Sequence, residues 1–304
     1  MRVRRTLDAV TAQHPGAVLA PPVPPEVAAA TLADLLRGGR FAVLTGAGLS
    51  TDSGIPDYRS PGAPVRSPMT ATEFRSGPVA RQRYWARSYL GFGRMARALP
   101  NAGHRALAAL EHAGRTTTTI TQNVDGLHGE AGSRRVVDLH GRIDEVRCLD
   151  CGQVTARDEL QQRMAALNPD FAAHQDLSVN PDGDVDFEDT DGFRVPVCRR
   201  CTGVLKPRVV FFGDSVPKDT VEQCFSAVET SDALLVAGSS LTVMSGLRFV
   251  RRAAALGRPV AILNRGTTRG DELATVRLDA GCSETLAGLA RSLDHRPDRA
   301  ADSR

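Results

Sequence analysis

Lysine is almost absent from this chain. Of 38 basic residues only Lys206 and Lys218 are lysines; the rest are arginine. That bias reads as GC-rich codon usage and points to a bacterial source. Long apolar runs are also missing. No stretch approaches the roughly 20 residues a membrane span needs, so no membrane partner is expected. Neither charge sign dominates. A formal net charge of +3 is too small to argue for a nucleic-acid partner. No secretory apolar segment is visible. The first 15 residues carry arginines, but Asp8 and the lack of an apolar face count against a transit peptide. The expected location is therefore the bacterial cytoplasm.

A further absence is more informative. Residues 41–48 read "FAVLTGAG", an apolar run and then Gly46-Ala47-Gly48, as in a dinucleotide-binding turn. A G-x-G-x-x-G pattern would put its third glycine at position 51, which is Thr51. No acidic residue lies between Asp57 and Glu73 to hold a cofactor ribose in the manner of a dehydrogenase. The loop instead runs on as "LSTDSGIPDYRS", through Asp52, Asp57, Tyr58 and Arg59.

What is present is ordinary for a globular protein, with 41% hydrophobic and 24% charged residues. A length of 304 residues suffices for one large domain or two unequal ones. Helical spacing covers residues 25–37, with proline near the start and Gly38-Gly39 at the stop. The strand "FAVLT" follows. Residues 60–68 read as a loop, and 78–97 and 102–113 as helices. A β-branched strand "TTTTITQN" comes next, then two short strands around Leu139, His140 and Gly141. After residue 203 alternation resumes: strands at 204–211, 233–237, 259–263 and 275–278, helices at 218–230, 245–256 and from 283. Strands alternating with helices predict a doubly wound, Rossmann-like parallel α/β sheet. The expected organisation is an N-terminal extension at 1–24 and a dinucleotide-binding type of domain at 25–147 and 204–293 with a helical insert at 62–100. A zinc-ribbon module at 148–203 and a disordered tail at 294–304 complete it.

The module rests on Cys148, Cys151, Cys198 and Cys201. Two C-x-x-C pairs supply four thiolates for one tetrahedral site, which suits zinc. The alternative is four unrelated buried cysteines. With four protein ligands no position stays open, so the Zn2+ is expected to be structural. The 46 residues between the pairs exceed a normal ribbon, and "NPDGDVDFEDTDG" within them reads as an acidic loop.

Other motifs sit at strand ends. "TQNVDG" places Gln122, Asn123, Val124 and Asp125 where amides and a carboxylate can bind a ribose or carboxamide, though turn chemistry explains them as well. "DLHGR" puts His140 at a strand end beside the module, in the expected cleft between domains. His128 reads as structural. "VAGSSLTV" and "ILNRG" supply Gly238, Ser239, Ser240, Asn264, Arg265 and Gly266, the second half of a dinucleotide site.

Taken together these motifs resemble the sirtuin family of NAD-dependent protein-lysine deacylases, over about residues 30–292. "RQRYWAR", "LNPDF", "PDGDV" and "LKPRVVFFGDSV" look like class II, the group with the mitochondrial sirtuin 4 type and bacterial relatives. The resemblance implies that Gly46, Ala47, Gly48 and Ser50 line phosphates and that Asp57, Tyr58 and Arg59 form the cofactor loop. It implies that Gln122, Asn123, Val124 and Asp125 hold nicotinamide and its ribose, with Asn123 also catalytic. Gly238, Ser239, Ser240, Asn264, Arg265 and Gly266 would take phosphate and adenosine, and Cys282 would contact adenine. His140 would be the base. Val209 to Phe211 and the segment after Ser240 would sandwich the acyl-lysine peptide as an added strand. Tyr84 and Arg87 match the Tyr-x-x-Arg spacing with which acidic-acyl sirtuins read a carboxylate; packing of Tyr84 with Arg87 exposed is the other reading. Tyr58 stands where many sirtuins have phenylalanine. The implied activity is NAD-dependent deacylation of proteins by a monomer. Mono-ADP-ribosylation is the rival on the same fold, and a non-catalytic zinc and nucleotide module the remote one.

Overall fold

The computed structural model describes residues 21–58, 68–173 and 180–294. Arg59, most of the N-terminal extension and the tail after residue 294 lie outside the described residues. Helix α1 (Pro25–Leu36) opens on a proline in its first turn, where the missing N–H costs no hydrogen bond. It buries Ala28, Leu32 and Leu36 along one stripe. Strand β1 (Phe41–Thr45) is buried throughout. It shows no polar alternation because both faces of the sheet are covered. Helices α2 (Ala71–Arg75) and α3 (Pro78–Met95) form the helical insert. Helix α4 (Ala102–His112) starts at a capping box in which Asn101 and His104 satisfy each other's backbone N–H.

Strand β2 (Thr116–Thr121), the short helix α5 (Leu127–Glu130) and β3 (Val136–Asp138) follow. Next come β4 (Gly141–Cys148), β5 (Val154–Ala156), α6 (Arg157–Leu167) and β6 (Leu205–Val209). The chain then alternates α7 (Lys218–Glu229), β7 (Ala233–Ala237), α8 (Met244–Ala255), β8 (Val260–Leu263), β9 (Val276–Leu278) and α9 (Cys282–Asp294).

Six strands form a parallel sheet in the order β3-β2-β1-β7-β8-β9. The chain winds one way from β1 and the other way from β7, so the switch point lies between these two strands. Residues of β1 alternate between the faces: Phe41 and Val43 join α1, α4 and α9, whereas Ala42 and Leu44 join α7 and α8. The sheet is doubly wound, and its binding crevice lies at the carboxyl ends of β1, β2 and β7.

A second sheet, β5-β4-β6, is antiparallel. It takes in β4 and β6, which the reading of the chain placed with the large domain. Helix α6 is not among the elements expected from sequence. Its inward face carries only Leu160, Met164 and Arg157, too few apolar positions for a periodic signal. Arg157 is fully buried, its guanidinium stacked on Trp85 and Phe92 and hydrogen-bonded to Ser88. Trp85 donates its indole N–H to the Leu205 carbonyl at 3.1 Å. The insert and the module therefore share one core. Among the described residues no helix is long and apolar enough to cross a membrane.

Candidate active site

The glycine turn leaves β1 and leans on the end of β7. Gly46 N–H donates to the Ala237 carbonyl at 3.2 Å and Gly48 N–H to the Gly238 carbonyl at 2.9 Å. A Cβ on Gly46 would stand 2.8 Å from the Gly238 oxygen, so the approach needs glycine. Two short 3-10 turns follow, Ala47–Leu49 and Thr51–Ser53, ending on Gly54 at φ 80°. No long helix grows directly from this turn. The third glycine of a dehydrogenase fingerprint serves close packing of such a helix on the sheet. Without that helix, Thr51 is tolerated.

The end of β2 ties this turn to the rest of the crevice. Asn123 donates its side-chain N–H to the Gly46 carbonyl at 3.1 Å and to Ser50 Oγ at 3.0 Å. Ser50 donates in turn to Asp125 at 2.7 Å, and the other Asp125 oxygen accepts the Leu127 N–H at 3.0 Å. Ser239 donates to the Gln122 side-chain oxygen at 2.6 Å. Val124 is buried against Ile55 and Leu127. Leu241, just past Gly238-Ser239-Ser240, holds a left-handed φ of 55°. That strain of roughly 1–2 kcal/mol for a side-chain-bearing residue is held by a buried side chain and a bond from its N–H to Ser239 Oγ.

His140 follows β3. Its Nδ1 lies 2.9 Å from the Gln122 carbonyl, and its Nε2 lies 2.9 Å from Ser245 Oγ. A carbonyl only accepts, so Nδ1 carries the hydrogen and Nε2 presents its lone pair. Burial lowers the imidazole pKa to about 4, the Gln122 carbonyl opposes that shift, and Arg248 adds to it. The ring is neutral at pH 7, as a base must be.

On the far side of β7, the Asn264 amide donates to the carbonyls of Arg265 and Gly266, at 2.7 and 3.1 Å. Gly266 N–H reaches Asp279 at 3.1 Å. Cys282 is buried at the start of α9, and burial raises its thiol pKa to about 12. It is thus no redox cysteine. Tyr58 meets Phe212 edge to face at 6.2 Å. It also borders a cavity of about 10 Å3, the size of one water, with Arg87, Asn180 and Asp182.

The four cysteines converge. Their sulfurs all lie within 4.8 Å of one another, with Cys148 to Cys201 at 3.5 Å and Cys151 to Cys198 at 3.8 Å. A disulfide would need about 2.05 Å. Four sulfurs at about 2.3 Å from a tetrahedral zinc stand about 3.8 Å apart. The donor set and spacing fit a structural Zn2+ held by Cys148, Cys151, Cys198 and Cys201, with no open coordination position.

A family model described as "Sir2 family" matches residues 46–245. The chain is 57% identical over 270 residues to a Mycobacterium avium (strain 104) protein named "NAD-dependent protein deacetylase 1", covering 88% of this chain and 96% of that one. The chain belongs to the Sir2 family. A Streptomyces coelicolor protein of the same name is 50% identical over 99% of each chain. A Monosiga brevicollis protein named "NAD-dependent protein deacylase SIR4" is 47% identical over 85% of this chain and 87% of its own. A solved structure described as "Sir2-p53 peptide-NAD+" matches with a TM-score of 0.67 at 28% identity, covering 84% of this chain and 94% of that one.

In this Sir2-family chain β6 is an edge strand of the small sheet. Val210 N–H donates to the His140 carbonyl at 2.8 Å, which places Val209 and Phe211 close to the histidine in space. Phe211 is buried on Phe74 and Tyr84, while Phe212 remains 38% exposed. Tyr84 itself is buried between Phe74, Trp85 and Phe211. Arg87 is engaged by the acidic loop: Nε donates to the Val185 carbonyl at 2.6 Å, and Nη2 lies 2.9 Å from Asp186 and 3.3 Å from Asp184. It is half-buried, with its Nε and Nη2 both engaged by this loop. Burial, with Asp184 beside it, raises the Asp182 carboxyl to about 7.

Three contributions had no clear signal in the sequence. Ser245 reaches His140 across 105 positions of chain. The acidic loop closes on Arg87 from across 99 positions. The buried rings of His104 and His128 pack at 5.0 Å beneath the β2 end, with His128 Nε2 2.9 Å from Thr45 Oγ1. A Ser-Gly pair at a helix start just beyond "GSSLTV" was the available pointer to the first.

Proposed function

We propose that this protein is an NAD-dependent protein-lysine deacylase that yields nicotinamide, 2'-O-acyl-ADP-ribose and free lysine. The observation that carries the reading is the state of His140. Its ring is neutral, with Nδ1 bonded to the carbonyl of Gln122, next to Asn123 in the chain, and Asn123, Asp125, Ser50 and the Gly46 turn form one hydrogen-bonded unit. NAD is a substrate of this reaction. The glycine turn, Ser50, Gly238, Ser239 and Ser240 would hold its phosphates; Asn264, Arg265, Gly266 and Cys282 its adenosine; Gln122, Asn123, Val124 and Asp125 its nicotinamide half. Asp57, Tyr58 and Arg59 belong to the loop that closes over it.

The chemistry needs those groups. The acyl oxygen of the substrate lysine forms a bond to C1' of the ribose as the bond to nicotinamide breaks, the electron pair leaving with nicotinamide. Water must be kept out at this stage. His140 then accepts a proton from a ribose hydroxyl, and that oxygen attacks the acyl carbon; the bond from that carbon to the lysine nitrogen breaks, the amine leaving with a proton, and one water then adds to the carbon as its bond to the C1' oxygen breaks, which leaves the acyl group on the 2' oxygen. The acyl-lysine peptide would lie along the edge of β6 against Val209 and Phe211, making main-chain bonds as an added strand. The zinc holds the module that carries this edge. The enzyme acts as a cytoplasmic monomer.

The test is a panel of acyl peptides, from acetyl through branched and dicarboxyl to long-chain, with and without NAD, read by mass spectrometry. Loss of the acyl mass with appearance of acyl-ADP-ribose is expected. His140→Ala should lower kcat by about 100-fold or more. ADP-ribose found on protein, with acyl peptides untouched, would move the assignment to ADP-ribosyl transfer.

A further inference from the structure

The ring of His140 has two nitrogens, and both are engaged. The Gln122 carbonyl fixes the hydrogen on Nδ1. That leaves Nε2 as the sole acceptor, and Ser245 Oγ lies 2.9 Å from it. Ser245 is the second residue of α8, so its position is set by how closely the start of that helix approaches the end of β2. The approach is tight. A Cβ on the next residue, Gly246, would lie 2.8 Å from Gln122 Nε2 and 3.0 Å from Gln122 Cδ. Gln122 is in turn pinned by Ser239. Gly246 therefore lets the helix close on Gln122, and that closure delivers the Ser245 hydroxyl to the imidazole.

We infer that Ser245 is a positioning residue for His140, holding the ring in place through its hydrogen bond to Nε2 until the ribose hydroxyl takes over that lone pair, and accepting from Nε2–H once the proton has been taken. The inference rests on the deacylase reading for its kinetic part. A hydroxyl is both donor and acceptor. It donates to Nε2 of the neutral ring, and by turning about its C–O bond it accepts from Nε2–H of the imidazolium. Among the described residues no other group hydrogen-bonded to the ring offers both. The Gln122 carbonyl cannot donate, and Arg248, one turn along α8, acts on the ring as a positive charge that disfavours the imidazolium. The incoming ribose hydroxyl displaces or shares the Ser245 contact, and the ring is already oriented when it arrives. The cost of losing this is rotational freedom of the base and a buried imidazolium with one donor unpaired.

Ser245→Ala and Ser245→Thr, compared with wild type, test the inference in two independent ways. In kinetics on the best acyl peptide, Ser245→Ala should lower kcat about tenfold with KM for NAD within about twofold of wild type, and Ser245→Thr, which keeps the hydroxyl, should restore most of the rate. In 15N-edited imidazole spectra of the substrate-free protein, wild type should show His140 as the Nδ1–H tautomer with a hydrogen-bonded Nε2. Ser245→Ala should move the Nε2 resonance toward that of an unbonded acceptor while Nδ1–H persists. A Ser245→Ala variant with wild-type kcat, or with an unchanged Nε2 resonance, overturns the inference, as does a Ser245→Thr variant no better than alanine. Absence of NAD-dependent deacylation by wild type would instead defeat the deacylase reading, and the spectra would still decide whether Ser245 holds the ring.

Discussion

Tyr84 and Arg87 stand three residues apart on one helix, and their environments differ completely. The ring of Tyr84 is sealed among Phe74, Trp85 and Phe211, and burial drives its hydroxyl far above the ordinary phenol range. Arg87 meets two carboxylates and a carbonyl from the acidic loop. A carboxylate on an acyl chain would have to displace partners already bound to the guanidinium. Succinyl- and glutaryl-lysine peptides are therefore expected to be cleaved no faster than acetyl-lysine peptides. Replacing both acids, Asp184→Asn with Asp186→Asn, should raise the ratio of succinyl to acetyl kcat/KM several-fold. A wild-type preference for dicarboxyl chains would return Tyr84 and Arg87 to the role of acyl readers. The Tyr-x-x-Arg spacing was legible in sequence. Its neutralisation was not, because the neutralising groups lie some 97 to 99 residues away, on a loop with no periodicity.

At the scale of elements, the two cysteine knuckles repeat the same turn with different residues. In the first, Gly152 takes a φ of 72° and its N–H bonds to the Cys148 carbonyl at 3.1 Å. In the second, Thr202 takes a φ of 58° with its N–H 2.9 Å from the Cys198 carbonyl. The left-handed region costs a β-branched residue roughly 1–2 kcal/mol, partly offset by the entropy glycine loses on folding. Thr202 is exposed, with its hydroxyl donating to the Cys201 carbonyl at 2.6 Å. Thr202→Gly should thus stabilise the module by about 1 kcal/mol. Slower zinc loss to a chelator and a higher melting temperature are the expected readings; faster loss would show that the knuckle is not strained. The elements most legible in sequence were those whose signals are local: the apolar strand before the glycines, the capped helices, the C-x-x-C turns. The small sheet was harder to read, because the pairing of β4 with β6 joins segments more than 50 residues apart.

Across the whole molecule, acid stability should be set by buried imidazoles. His104 and His128 are fully buried, and burial lowers their pKa values to about 4 and about 3, with Asp125 opposing the shift at His104, Arg105 adding to it, and His104 adding to the shift at His128. The unfolded chain takes up protons below about 6.5, whereas the folded chain refuses them until near 4 and 3. Stability is thus present above 6.5 and lost as pH falls through that window, by an amount on the order of a few kcal/mol. Asp182 works in the opposite sense. Its pKa, raised from 3.8 to about 7, makes the folded state hold a proton that the unfolded state has released, so its contribution improves as pH falls through 7. Asp182→Asn removes that opposing effect. Its melting temperature should fall more steeply between pH 6.5 and 4 than that of wild type; parallel curves would contradict the assignment.

The sequence by itself determined the family, the doubly wound class and the four cysteines that fit zinc, and it singled out His140 as the candidate base. Each is written in residues within a few positions of one another: a glycine turn after an apolar strand, two C-x-x-C pairs, an asparagine and a histidine at strand ends. Such features follow from backbone geometry and ligand spacing, which act over one turn or one strand. The tertiary structure alone decided what those residues face. It gave His140 a serine from a helix 105 positions on, gave Arg87 its carboxylates, and stacked His104 on His128. These contacts depend on how closely two elements pack, and at Gly246 that closeness turns on the absence of a single Cβ.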